Sequence, residues 1–214
     1  MAVTSDQAPA VLRASWDDAW RGLGMAPLAT LLDVLLACYA EPHRAYHTRQ
    51  HLAECVDELE RVATLAERPA EVRLALWFHD AIYDPRAHDN EVRSARLASA
   101  ALRVAGADAA TADRVYDLVL ATTHAAPPVG RDAQLVVDVD LAILGAPEPR
   151  FAEYERQIRA EYAWVPEPAF RERRARVLRA FLDRPSIYST AAFATRLEAR
   201  ARANLTRSLE ALGR

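Results

Sequence analysis

The sequence predicts an all-α fold, and three observations carry that reading. Only 6 of the 214 residues are glycine, and no stretch alternates apolar with polar residues as a half-buried strand would. Alanine, leucine and arginine, all good helix formers, dominate the chain. Apolar residues recur at three- and four-residue spacing, the period of a helix with one buried face.

Taken in order, that spacing marks Val11 to Leu23, where Trp16 and Trp20 lie one turn apart and would pin the helix to a core. Leu28 to Tyr39 follows and ends before Pro42, and Gln50 to Leu65 ends before Pro69. Glu71 to Ile82 is stopped by Asp84-Pro85, Glu91 to Val104 follows, and Ala110 to Thr122 is stopped by Pro127-Pro128. Gln134 to Leu144 is closed by Gly145 and Pro147, Arg150 to Tyr162 by Pro166 and Pro168, Ala169 to Leu182 by Pro185, and Ala191 to Leu212 is the last. No composition shift, repeat or low-complexity linker divides the chain. The expectation is a single domain: residues 1–27 as an N-terminal segment and helix, packing on a helical core of residues 28–214.

Composition narrows the class without naming a chemistry. With 51% hydrophobic and 27% charged residues the chain is an ordinary globular one, long enough to bury roughly 70% of its unfolded surface. All 27 basic residues are arginine, which we attribute to nucleotide-composition bias in the source genome. The net charge of −3 and pI of 6.1 argue against a nucleic-acid partner, whose binders are usually strongly basic. Cys38 and Cys55 form no CxxC pair and read as buried thiols of a cytoplasmic protein. Met1 to Ala10 shows neither a basic nor an apolar leader segment, and the longest apolar stretch, Leu28 to Ala40, contains Asp33 and is too short for a bilayer.

The chemistry concentrates at Phe78-His79-Asp80, which closes the apolar run Leu74 to Phe78. Burying an imidazole beside a carboxylate is costly unless both are satisfied, and a cation satisfies both. Adjacent helical residues point about 100° apart, so partners must come from other segments: His51, His124 and Asp140 are the candidates. Singly, a helical histidine is more often a packed core residue than a ligand; the ordered set is what argues for metal. Asp138 competes with Asp140. On a helix starting near Gln134, Asp140 faces inward with Val136 and Ile143, whereas Asp138 falls in the first turn, where a carboxylate simply complements the dipole. Imidazole and carboxylate without thiolate disfavour a closed structural zinc site and suit an open Mn, Fe, Co, Ni or Mg centre, with Zn still allowed.

The order His, His-Asp, distant Asp resembles the HD superfamily of metal-dependent phosphohydrolases. Longer stretches resemble one bacterial family within it: Tyr46-His47-Thr48-Arg49-Gln50-His51, Trp77 to Asp84, Asn90 to Ala95, Thr122-Thr123-His124, Asp138 to Gly145, Ile158 to Tyr162 and Ala201 to Leu205. The resemblance covers most of the chain after residue 28. It implies an HD-type helical bundle with metal ligands His51, His79, Asp80 and Asp140, and it puts His124 close to the metal or the substrate.

Further roles follow from residue type. Asp84 and Glu91 are carboxylates that could move protons, although Asp84 before Pro85 also suits a turn and Glu91 a helix start. Arg44 and Arg49 have the fork that grips phosphate, or are solvated. His47 lies one turn before His51; with Thr48 as a helix cap it falls outside the helix and would touch substrate phosphate. The expected function is hydrolysis of a phosphate ester or anhydride in a small, nucleotide-like substrate by a metal-activated water, with one divalent ion and room for a second. A di-iron oxidase and a non-catalytic, metal-containing regulatory protein are the competing classes. Neither nucleic acid nor membrane is an expected partner, and surfaces such as Arg171 to Arg179 suit a homodimer or solvent.

Overall fold

The computed structural model describes residues 8–213; the stretch before residue 8, where a leader would begin, lies outside them. It is all-helical, as the periodicity predicts. The α-helices are α1 (Ala8–Gly22), α2 (Leu31–Cys38), α3 (Arg49–Glu60), α4 (Pro69–Phe78), α5 (Asn90–Val104), α6 (Ala109–Ala121), α7 (Arg131–Asp140), α8 (Glu148–Glu161), α9 (Glu167–Leu182) and α10 (Ala191–Leu212). Short 3₁₀ turns cover Ala63–Leu65 and Leu141–Gly145, and no strand occurs among the described residues. No described helix is long and apolar enough to cross a membrane.

The chain divides into two compact units, Met1–Asp140 and Leu141–Arg214. In the first, α4 is the central element and packs against α1, α3, α5, α6 and α7. Its sequence explains the position: Leu74, Ala75, Leu76, Trp77 and Phe78 have no accessible surface, and a helix apolar on every side must be surrounded. Trp16 of α1 packs edge-on to Trp77 with centroids 5.0 Å apart, and Ser15 accepts the Trp77 indole N–H at 3.3 Å. Pro69 opens α4 where its missing N–H is harmless. Asp132 of α7 accepts the backbone N–H groups of Glu67 and Arg68 at 2.7 and 3.0 Å, setting a carboxylate at the positive end of the helix.

Several boundaries differ from the sequence reading, among them the end of α3, at Glu60 rather than Leu65, and two of them matter for the site. The apolar pattern runs on to Ile82, but α4 ends at Phe78, so His79 is the C-cap and Asp80 lies in the turn beyond. α7 starts at Arg131, not Gln134, so Asp140 is its last residue and Asp138 is buried well inside the helix; the first-turn position read for Asp138 is corrected.

In the second unit, α10 packs against α9 and the Leu141–Gly145 turn, and α8 packs on the same turn. The buried Asn204 donates to the carbonyls of Leu144 and Ala146 at 2.8 and 2.9 Å. Gly145 is where α10 comes closest: a Cβ there would lie 2.7 Å from Leu197 Cβ and 3.1 Å from the Leu197 carbonyl oxygen. Gly145→Ala is therefore expected to destabilise the protein by about 1–3 kcal/mol through overpacking, read as a lower urea midpoint with unchanged slope.

Candidate metal centre

Four segments of the first unit deliver side chains to one point. His51 sits in the first turn of α3, whose start is fixed by Thr48: its side chain accepts the Gln50 N–H at 3.3 Å, so Thr48 is the cap and His47 lies outside the helix. His79 and Asp80 come from the end of α4, Asp140 from the end of α7, and His124 from the turn after α6. His124 holds a left-handed backbone, φ 54°, which a non-glycine residue adopts only at a cost of order 1 kcal/mol or more.

The turn carrying His79 and Asp80 leaves the helix with orphan carbonyls, and donors from elsewhere take them. His79 Nδ1–H donates to Leu76 O at 2.7 Å, and the Tyr39 hydroxyl to Trp77 O at 3.2 Å. Arg44 donates to Asp80 O at 2.6 Å and Ala81 O at 3.0 Å, and Ser94 to Ile82 O at 3.3 Å. A carbonyl only accepts, so the Leu76 contact fixes the His79 proton on Nδ1 and aims the Nε2 lone pair inward.

At the convergence point His51 Nε2 and His79 Nε2 are 3.1 Å apart. Asp80 Oδ2 lies 2.9 Å from His79 Nε2 and 3.5 Å from His51 Nε2. Asp140 Oδ1 lies 3.2 Å from His51 Nε2 and 3.5 Å from His79 Nε2. Its other oxygen, Oδ2, accepts from His124 Nε2–H at 3.1 Å. Bonds of ~2.1 Å to a common ion would set neighbouring donors ~3.0 Å apart at right angles and ~3.4 Å apart in a tetrahedron. The donor spacing fits, and two carboxylates with neutral imidazoles balance one divalent charge.

The electrostatics point the same way. Burial opposes charge on both imidazoles, yet Cys55, Tyr46, Asp140 and Asp80 around His51, and Asp80, Tyr39 and Asp140 around His79, hold their protons well above the usual histidine range. Burial likewise opposes charge on the carboxylates. Asp80 is nevertheless held well below the usual range by His79, His47 and His51, and Asp140 by His124, His51 and His79. The pocket is a field that holds positive charge, as protons or as a metal ion.

Cys55 is the donor that the sequence reading missed. His51, Cys55, His79 and Asp140 together form a buried group that can hold a metal ion, with donor atoms all within 4.8 Å of one another. A thiol therefore lies among the buried donors, a position that the sequence reading, which took Cys55 for a core thiol, did not give it. The available signal was His-x-x-x-Cys on a helix, which stacks the two side chains on one face.

The remaining candidates lie as follows. The His47 ring stacks on Tyr83 at 4.1 Å and is 6.0 Å from the His51 ring. Arg44 is buried, with its guanidinium on backbone carbonyls rather than facing solvent. Arg49 is exposed and donates to Leu36 O at 2.8 Å. Asp84 is exposed and its carboxylate accepts the Arg86 N–H at 2.8 Å, a turn contact. Glu91 is half-buried in the first turn of α5. Both imidazoles at the centre are sealed, whereas the side chains of Asp80 and Asp140 remain 14% exposed and that of His124 22%. Solvent thus reaches the cluster from its carboxylate side. No family model, curated protein or solved structure matches the chain, so the functional reading rests on this geometry.

Proposed function

We infer that the chain is a metal-dependent phosphohydrolase of the HD type, acting on a phosphate ester or anhydride of a small nucleotide-like molecule. The observation that carries it is the meeting of His51, His79, Asp80 and Asp140 at one point, where the imidazoles are buried and the carboxylates keep some exposure. A structural site would be closed; an open one suits chemistry. A divalent ion held there supplies a Lewis acid for a phosphoryl oxygen and lowers the pKa of water.

The chain's own groups do the rest. His79 is locked in one tautomer by Leu76 O. Asp140 bridges the metal-facing point through Oδ1 and His124 through Oδ2, which keeps a proton at His124 Nε2 beside the reaction site. His124 therefore stands beside the centre through Asp140, whereas the Asp84 carboxylate is turned to its own loop. His47, whose ring stacks on Tyr83 and which lies close enough to help hold the Asp80 carboxylate low, would contact the substrate.

A screen of nucleoside phosphates and phosphate esters with Mn²⁺, Co²⁺, Ni²⁺, Mg²⁺, Fe²⁺ or Zn²⁺ tests this. Phosphate or pyrophosphate release is expected, abolished by chelation and reduced about 10³-fold or more in Asp80→Ala with unchanged circular dichroism. Turnover that survives both treatments would refute the reading.

A further inference from the structure

The inferred hydrolysis makes no use of a thiol, yet one stands at its centre. Cys55 follows His51 by one turn on α3, so the two side chains share a face. Its sulfur is buried and lies 3.7 Å from both ring nitrogens of His51, and within 4.8 Å of the donor atoms of His79 and Asp140. A buried cysteine ordinarily packs as a small hydrophobe; this one faces imidazole nitrogens and a carboxylate. Metal–sulfur and metal–nitrogen bonds of ~2.3 and ~2.1 Å put the two donors ~3.6 Å apart in a tetrahedron, which matches the spacing to His51.

We propose that Cys55 is a metal ligand, completing a His51–His79–Asp140–Cys55 set for thiophilic ions, and that Asp80 takes the corresponding position for hard ions. The triad of two imidazoles and Asp140 is common to both sets. Asp80 Oδ2 is closest to His79, while the Cys55 sulfur is held against His51 by the helix itself, so the two donors approach the triad from different segments. Sulfur favours Zn²⁺, Co²⁺ and Cd²⁺, and carboxylate oxygen favours Mg²⁺ and Mn²⁺. On binding a thiophilic ion the Cys55 S–H bond breaks, the proton leaves to solvent and the sulfur electron pair forms the metal bond; no oxidant is involved. The centre therefore prefers thiophilic ions more strongly than His51, His79, Asp80 and Asp140 alone would. This deepens the metal-centre reading above and rests on it.

Cobalt reports both levels separately. Titrating the full chain with Co²⁺ is expected to give visible d–d bands, which need only a bound ion, and a near-ultraviolet thiolate-to-cobalt charge-transfer band, which needs sulfur. The chain has two cysteines, so Cys38→Ser, which should keep both signals, makes Cys55 the only thiol source and decides the matter even if Cys55→Ser does not fold. Cys55→Ser is expected to keep the visible bands, lose the near-ultraviolet band, and bind Cd²⁺ about tenfold or more weakly with Mn²⁺ affinity nearly unchanged. Visible bands without the charge-transfer band in Cys38→Ser, a band that persists in Cys55→Ser, or equal weakening of Cd²⁺ and Mn²⁺ would overturn the role of Cys55 and leave the metal centre standing. No cobalt signal of either kind would overturn both.

Discussion

Replacing His79 by alanine is expected to weaken divalent-ion binding by about 10²-fold or more while the helical circular dichroism persists. A four-donor site is typically worth ~10–16 kcal/mol, so one donor corresponds to about 3 kcal/mol, or roughly two decades in affinity. His79 should stand at the upper end. Its Nε2 lies 2.9 to 3.5 Å from a donor atom of each of His51, Asp80 and Asp140, and its tautomer is already fixed by Leu76 O. Removing it also leaves a void beside a fully buried stretch of α4, so some loss of stability accompanies the loss of metal. The two effects separate in a simple comparison. Added metal should raise the melting temperature of the parent chain and leave that of His79→Ala nearly unmoved, as expected when a ligand stabilises only a folded state that binds it. Equal metal-induced shifts in both proteins would show that the ion binds elsewhere.

Much of the fold was legible because helix periodicity and proline punctuation are local signals. Every segment with the spacing of an amphipathic helix is a helix, within a few residues at each end. The end of α4 was not legible. Its apolar pattern continues past Phe78, and what stops the helix is a set of donors distant in sequence: Arg44, Tyr39 and Ser94 on the carbonyls of residues 77 to 82. The start of α7 shifted for a related reason, since Asp132 at its first turn is engaged with the amide groups that open α4. Donor types in the right order could be read from the chain, because imidazole and carboxylate beside an apolar run are conspicuous. Cys55 could not be told from a core thiol without knowing that His51 points inward. Arg44 carries no local mark of a scaffold role either; an arginine in a loop after Pro42 reads as a phosphate contact or a solvated residue until its partners are seen.

Arg44 supports the second large expectation. Its side chain is inaccessible to solvent and its fork donates to the carbonyls of His47, Asp80 and Ala81 at 3.1, 2.6 and 3.0 Å, with Glu41 at 3.0 Å on Nε. The guanidinium lies between the rings of Tyr39 and Tyr83, 5.3 and 5.4 Å from their centroids. It thus joins the loop before α3, which carries His47 and leads to His51, to the turn that carries His79 and Asp80. Arg44→Ala would strand those carbonyls and leave a cavity, a loss of about 3–5 kcal/mol and a fall in melting temperature on the order of 10 °C for a chain of this size. Arg44→Lys keeps the charge but not the fork. It should fold with an intermediate melting temperature and bind metal about 10–100-fold more weakly, the usual scale for a residue that orients metal ligands without touching the ion. An arginine that gripped substrate phosphate would behave otherwise, raising KM with stability and metal affinity intact. Finding that pattern in Arg44→Ala would return the residue to the substrate and remove it from the scaffold of the metal centre.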